Sequence, residues 1–324
     1  MSFRAGSGIP RVANRGGGLV LALLVLAALQ SCTAQPAKLV HPALRVDGER
    51  AMQHARRVVG FGPRTSGSAA IESLRGYLRA ELTKAGATVE EQSFVAKTPA
   101  GPVPMVNVIA KVPGNTGRRI LLTGHYDTKR MVGMRFVGAN DAGSSTALLL
   151  ELATVLSRRA AEQKARGDAS PRDEIWLVFF DGEEAFADWT ETDSLYGSRH
   201  LAGELEKRGE LRSIRALVNL DMIGDRDLRL TLEYNSTAAL RELATEVALA
   251  QGHRDLFERY LAAIEDDHIP FARRGVPVLN LIDFSYGPEH SYWHTEEDTI
   301  DKLAPSSFQM VGDLVLGIVE RLAR

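Results

Sequence analysis

Apolar residues recur at helical spacing over residues 48–59 and 68–85, and the stretch between them, Gly60-Phe61-Gly62-Pro63-Arg64-Thr65-Ser66-Gly67, is dense in turn formers. The pattern predicts two helices joined by a loop, with Gly86 placed to end the second. Strand-like runs follow at 89–95, 103–112 and 119–123, separated by Gly-Pro and Pro-Gly-Asn-Thr-Gly turns. The last of these, built on Ile120-Leu121-Leu122, has no polar alternation, which predicts a central strand covered on both faces. A helix is expected from Asp141, as its cap, through the largely apolar run 147–152 to Arg158, followed by a charged linker over 160–172. Beyond it the pattern gives a buried strand at 175–180, a helix at 194–208, an apolar strand at 216–220 and an edge strand at 228–234. A helix at 237–251, a short strand at 276–282 and a closing helix at 306–322 complete the chain. Strands and helices alternate through the middle, so the expected fold class is α/β, a mixed, mostly parallel central sheet flanked by helices on both faces.

Composition narrows this picture. At 324 residues, 44% hydrophobic and 25% charged, the chain suits one large α/β domain. A net charge of −2 supplies no basic field, which argues against a nucleic-acid partner. No internal repeat, phosphate loop or dinucleotide fingerprint is present. The first thirty-two residues differ from the rest: Arg4, Arg11 and Arg15 precede the apolar run 19–29, which meets Gln30-Ser31-Cys32. This reads as an export signal whose apolar core is short for a transmembrane helix, with an uncleaved anchor helix as the alternative. Residues 29–32 resemble a bacterial lipoprotein box, although Gln30 departs from the usual small residue. Cys32 is the only cysteine, so an intramolecular disulfide is excluded and a lipid attachment is the expected use of the thiol. The organisation expected is a signal over 1–32, a polar linker over 33–43 and a single catalytic domain over 44–324. The protein is then exported to the cell envelope, touching membrane only through its N-terminal lipid or signal anchor.

The chemistry concentrates at strand ends. In Phe179-Phe180-Asp181-Gly182-Glu183-Glu184-Ala185-Phe186 an apolar strand finishes in two adjacent carboxylates, so one can bind a metal while its neighbour moves protons. His125, Asp127, Asp141, Asp221 and His294 also lie at or just past the ends of apolar segments. Oxygen and imidazole ligands arriving from several strand ends are what a catalytic zinc site requires. A Glu-Glu pair is ordinarily a solvated turn and a lone histidine ordinarily structural. The recurrence of such groups at strand ends is what argues for a site.

A family resemblance sharpens the reading. The stretches Gly124-His125-Tyr126-Asp127, Phe136-Val137-Gly138-Ala139-Asn140-Asp141, Asp181-Gly182-Glu183-Glu184-Ala185-Phe186, Ser194-Leu195-Tyr196-Gly197-Ser198-Arg199-His200-Leu201-Ala202, Asp266-Asp267-His268-Ile269-Pro270-Phe271 and Trp293-His294-Thr295 carry it. On these the chain resembles the zinc aminopeptidases, with their zinc-exopeptidase, phosphorylase/hydrolase-like α/β fold, and among them the animal-type glutaminyl-peptide cyclotransferases. The resemblance implies one zinc held by Asp141, Glu184 and His294, with a fourth position open. It implies Glu183 as proton carrier, Asp221 and Asp266 as carboxylates bonded to the reacting amine, to Glu183 or to each other, and Trp189 and Trp293 as pocket walls. His125 is expected to hydrogen-bond rather than bind metal, and the substrates implied are peptide or protein N-termini. Departures from the animal pattern are a longer segment over 283–292, Asn280, Glu265 and the missing disulfide. The main rival is a two-zinc aminopeptidase, in which Asp141 bridges two metals and His125 and Asp221 join the ligand set. A non-catalytic envelope binding protein is the other alternative, and it would be expected to have lost the base or a ligand.

Overall fold

Asp47 starts the first helix by accepting the Arg50 backbone N–H, and α1 (Gly48–Val59) buries Ala51, Met52, Ala55 and Val58 along one stripe. Ser68 caps α2 (Ala69–Lys84) in the same way, and Gly86, at φ +89°, ends it in a conformation that a side chain would strain. These elements come from a computed structural model, which describes residues 44–323. The export signal, lipoprotein box and linker expected over residues 1–43 lie outside the described residues. No helix among the described residues is long and apolar enough to cross a membrane.

The hairpin β1 (Thr88–Thr98) and β2 (Gly101–Val112) leads into β3 (Arg119–His125), α3 (Gly143–Ala165), β4 (Glu174–Phe180), α4 (Tyr196–Lys207) and β5 (Ile214–Asp221). Then come β6 (Leu230–Glu233), α5 (Ala238–Ala250), β7 (Phe257–Ala262), α6 (Ile269–Ala272), β8 (Val278–Ile282) and α7 (Pro305–Leu322). The main sheet has the order β1-β2-β4-β3-β5-β8; β1, β2 and β4 pair antiparallel, and β4, β3, β5 and β8 run parallel. Successive residues of β3 face opposite layers, as strand geometry demands. Ile120 and Leu122 join a core with residues of α1, α2, α3, α5 and α7, whereas Leu121 joins one with Leu201 of α4 and Phe271 of α6. Helices therefore cover both faces, and β3 is central, as its unbroken apolar run predicts. The chain leaves β3 for β4 on one side and reaches β5 on the other, so the carboxyl end of β3 is a switch point where open α/β sheets bind ligands.

Three expectations need correction. Asp141 does not cap α3, which begins at Gly143 after Ala142 and has no side-chain cap. The two carboxylate oxygens of Asp141 face His125 and His294 instead, while Asp298 accepts its backbone N–H. The charged segment after Arg158 continues α3 to Ala165, because Ala160-Ala161-Glu162-Gln163-Lys164-Ala165 is made of strong helix formers. Finally, β6 is an edge strand of a separate two-stranded sheet with β7, a strand that the pattern of residues 257–262 does not announce because most of its side chains stay at least partly exposed.

Candidate active site

Four strand ends and two loops converge on one cavity of about 360 Å³, bordered by Asp141, Glu183, Glu184, Asp221, Asp266 and His294. At the end of β4, Gly182 adopts φ +72°, and a Cβ there would lie 2.5 Å from Met105 Sδ, so only glycine makes this turn without strain. Just beyond it, Asp127 at the end of β3 accepts the backbone N–H of Glu183 at 3.2 Å and of Glu184 at 3.4 Å. One carboxylate thereby fixes the backbone from which both glutamates project.

The loop before α3 is held as firmly. Arg64, fully buried, donates to the carbonyls of Val137 at 2.6 Å and Gly138 at 2.9 Å, and Asp298 accepts the N–H of Asn140 at 2.7 Å and of Asp141 at 3.1 Å. Asp141 Oδ2 and Glu184 Oε1 both lie 3.1 Å from His294 Nε2. Zinc bound at roughly 2.0–2.2 Å by three tetrahedral ligands separates them by about 3.3–3.6 Å, so this trio fits with little opening. Two carboxylates and an imidazole are a donor set that zinc accepts. Burial opposes a charge on His294, but Asp141 and Glu184 outweigh it and lift its pKa to about 9. The ring itself stacks on Trp293 with centroids 4.1 Å apart.

A second convergence shares Asp141. His125 Nε2 lies 3.1 Å from Asp141 Oδ1 and 3.3 Å from Asp221 Oδ1, and these three groups also meet the spacing of a metal site. His125 Nδ1 is 3.4 Å from Asp127 Oδ1, yet it is too poorly aligned to donate and has no hydrogen bond. Burial works against charge on His125, while Glu183, Asp127, Asp141 and Asp221 push its pKa well above the usual histidine range. His125 does not border the cavity, whereas Asp141, Glu184 and His294 do.

Glu183 is buried at the cavity wall, and desolvation, only partly countered by His125 and reinforced by Glu184, Asp266 and Asp267, pushes its pKa well above the carboxylate range. Burial likewise raises Asp221 to about 7 against its hydrogen bond with His125. Asp266 accepts from Asn280 Nδ2 at 2.9 Å and from the Asp267 N–H at 2.5 Å. Asp221 and Asp266 thus share the cavity with Glu183, but they are bonded to His125 and Asn280 rather than to each other. Trp293 and Trp189 both border the cavity; Trp189 is 39% exposed at the rim and donates its Nε1–H to Glu265 at 3.2 Å.

The model of Peptidase family M28 matches residues 107–319, a span that contains every carboxylate, histidine and tryptophan of the site but not Arg64. A glutaminyl-peptide cyclotransferase of Drosophila melanogaster is 36% identical over 259 residues, 73% of this chain and 70% of that protein. The chain belongs to peptidase family M28, among the glutaminyl-peptide cyclotransferases. Solved structures of the family agree: an Acidobacteriales bacterium glutaminyl cyclase superposes with a TM-score of 0.80 at 38% identity, covering 90% of this chain and 99% of that one. A Zn-dependent exopeptidase from Parabacteroides distasonis gives 0.73 at 25% identity, covering 87% and 100%. M28 membership makes zinc the metal to expect at the convergent ligands.

Sequence reasoning missed several residues of the site. Lys129 borders the cavity with its Nζ 3.2 Å from Glu184 Oε2, and its signal was its place two residues past Asp127. Met222, Ile264 and Phe284 add apolar wall. Asp298 was hidden in the run Trp293-His294-Thr295-Glu296-Glu297-Asp298, where acidic residues look like a solvated turn.

Proposed function

We propose that this protein converts N-terminal glutamine of peptides or proteins to pyroglutamate with release of ammonia, using one zinc held by Asp141, Glu184 and His294. The observation that carries the reading is the cavity itself, in which three carboxylates outside that ligand trio, Glu183, Asp221 and Asp266, border the same space as the trio. When bound, zinc would polarise the side-chain carbonyl of the substrate glutamine and steady the charge that develops on its oxygen. The α-amine of the substrate attacks its own side-chain amide carbon; a C–N bond forms there, and the bond to the amide nitrogen breaks. Glu183 takes the proton from the amine and delivers it to the departing nitrogen, so ammonia leaves and Glu183 ends as it began. Burial raises its pKa, which makes it a stronger acceptor for the amine proton that it then passes on. Asp266 and Asp221 accept hydrogen bonds from the amine and orient it. Trp189 and Trp293, with Phe284, wall an apolar slot that limits entry of water.

One observation favours a second reading, a two-zinc aminopeptidase: His125, Asp141 and Asp221 also converge. His125 does not itself border the cavity, but it lies 3.1 Å from Asp141 and 3.3 Å from Asp221, which do, so the metal count separates the two readings. The experiment is to incubate the purified protein with a glutamine-initiated dipeptide and with leucyl amide, following ammonia and free leucine separately and counting tightly bound metal. Cyclisation predicts ammonia from the first, no leucine from the second and one metal per chain; leucine release with two metals overturns it. Export and lipid attachment at Cys32 belong to the same proposal and rest on the sequence of residues 1–32. Mass measurement of the mature N-terminus tests them.

A further inference from the structure

Glu265 borders two cavities at once. One is the active-site cavity; the other, of about 230 Å³, lies between residues 190–199 and residues 269–274. Trp189 walls the first, and the next two residues, Thr190 and Glu191, line the second. The cavities therefore share a rim, where Trp189 donates its Nε1–H to Glu265 Oε2 at 3.2 Å. Asp266, which receives the substrate amine in the proposed reaction, directly follows Glu265 in the chain. An extended peptide advances about 3.3 to 3.6 Å per residue, so the residues after an N-terminal glutamine held at Asp266 reach this rim within one or two steps.

The second cavity is rich in arginine. Arg199, Arg273 and Arg274 line it against two acids, Glu191 and Glu265. The three cations are not equally occupied. Arg274 Nε lies 3.0 Å from Glu206 Oε2, an acid outside the lining. Arg199 is half-buried, yet its guanidinium donates to carbonyls alone, those of Glu191 at 2.8 Å, Thr192 at 3.1 Å and Leu195 at 3.3 Å. Burial lowers its pKa against the pull of Tyr196 and Asp193, and Asp193 already accepts from the backbone N–H groups of residues 186–188 and from the Tyr196 hydroxyl. Arg273 sits 3.3 Å from Glu191 and 3.7 Å from Glu265, but all three side chains are more than half exposed, and ion pairs so exposed contribute little. Arg273 can therefore exchange one of these partners for a ligand carboxylate at small cost. Leu195, Ile269 and Pro270 add apolar wall suited to the methylenes of a side chain. At about 30 Å³ per water molecule the space equals about seven or eight waters, room for one side chain and not for a folded partner.

We propose that this second cavity is a substrate subsite that receives an acidic side chain from the second or third residue of the peptide, bound between Arg199 and Arg273. The inference rests on the cyclotransferase reading, which supplies the peptide and its direction of entry. Guanidinium and carboxylate match as a two-pronged pair, and arginine holds such a pair better than lysine does. A basic side chain would instead have to compete with Arg273 for Glu191 and Glu265, in a cavity that already holds three cations.

The test compares glutaminyl tripeptide amides carrying glutamate, glutamine or lysine at the second or third position, with ammonia release as the readout, for the zinc-loaded wild type, Arg273→Gln and Arg273→Glu. Amide termini remove the peptide's own C-terminal carboxylate. Glutamate and glutamine share a shape, so the ratio of their kcat/KM values isolates charge, and a ratio taken within one enzyme does not depend on how much of it is folded. At one of the two positions the wild type should favour glutamate over glutamine by about three- to tenfold, mainly through KM, and high salt should shrink the preference. Arg273→Gln should bring the ratio to within about twofold of unity, and Arg273→Glu should invert the order so that lysine is preferred. Equal kcat/KM for glutamate and glutamine at both positions overturns the proposal, and so does a preference that Arg273→Gln fails to reduce. A wild type that releases no ammonia from any glutaminyl peptide sinks both the cyclotransferase reading and this inference, whereas an active wild type indifferent to charge sinks only the latter.

Discussion

Asp298 accepts the backbone N–H of Asp141 at 3.1 Å across 157 positions of sequence. Its other oxygen takes the N–H of Asn140 and the hydroxyl of Tyr286, at 2.7 and 2.8 Å. A carboxylate four residues past His294 thus sets the loop that presents Asp141, coupling two of the three proposed zinc ligands through backbone rather than through the metal. Replacing it by alanine would leave two buried amides and a phenol without a partner, each at about 1–3 kcal/mol. Asp298→Ala should weaken zinc binding about 10- to 100-fold, the scale for losing a group that orients a ligand. Tyr286→Phe, which removes one donor only, should do much less. Competition with a chelating indicator measures both, and full zinc affinity in Asp298→Ala would refute the coupling.

Glu183→Gln tests the proton carrier. The amide keeps the shape of the side chain but cannot take a proton, so turnover of a glutaminyl substrate should fall by about a hundredfold or more while zinc is retained. Metal analysis alongside kinetics separates this from loss of the site, and unimpaired turnover removes Glu183 from the mechanism.

Zinc affinity should depend on pH through His294. Without metal its pKa is raised to about 9 by Asp141 and Glu184, which prevail over burial. Nε2 must shed its proton before it can bind a metal, so apparent affinity rises with pH and, below about 9, falls about tenfold for each unit of acidification on account of this group. Chelator competition between pH 6 and 8, corrected for the protonation of the chelator, reads the slope. A flat profile contradicts the pairing of His294 with two carboxylates.

Leu121 tests the layer between β3, α4 and α6. It is completely buried among Trp176, Phe180 and Leu217. Truncation there leaves a cavity, and Leu121→Ala should cost about 2–5 kcal/mol in denaturant unfolding without altering KM below the transition. A loss under about 1 kcal/mol would mean that the layer collapses onto the vacated space.

What was legible in the sequence was local. Strands 119–123, 175–180 and 216–220 could be read because residues buried on both faces give unbroken apolar runs, and helix starts at Asp47 and Ser68 follow short-range capping chemistry. Asp141 shows where such reading fails: an aspartate before a helix looks like a cap, and only the approach of His125 and His294 from distant segments gives its carboxylate other partners. Strand β7 escaped notice because a two-stranded sheet at the surface imposes little hydrophobic pattern. Site residues carried by motifs were found, whereas Lys129 and Asp298, whose partners lie 55 and 157 positions away, were not.

By itself the sequence determined the order of the elements, the chemical types of the ligands and their places at strand ends, because periodicity, turns and caps depend on neighbours a few residues apart. Only the tertiary structure decided which oxygen of Asp141 faces His294 and which faces His125, that Asp266 is bonded to Asn280, and that His125 stands back from the cavity. Those relationships follow from the order in which β3, β5 and β8 lie side by side, and strand order is a property of packing between segments far apart in the chain.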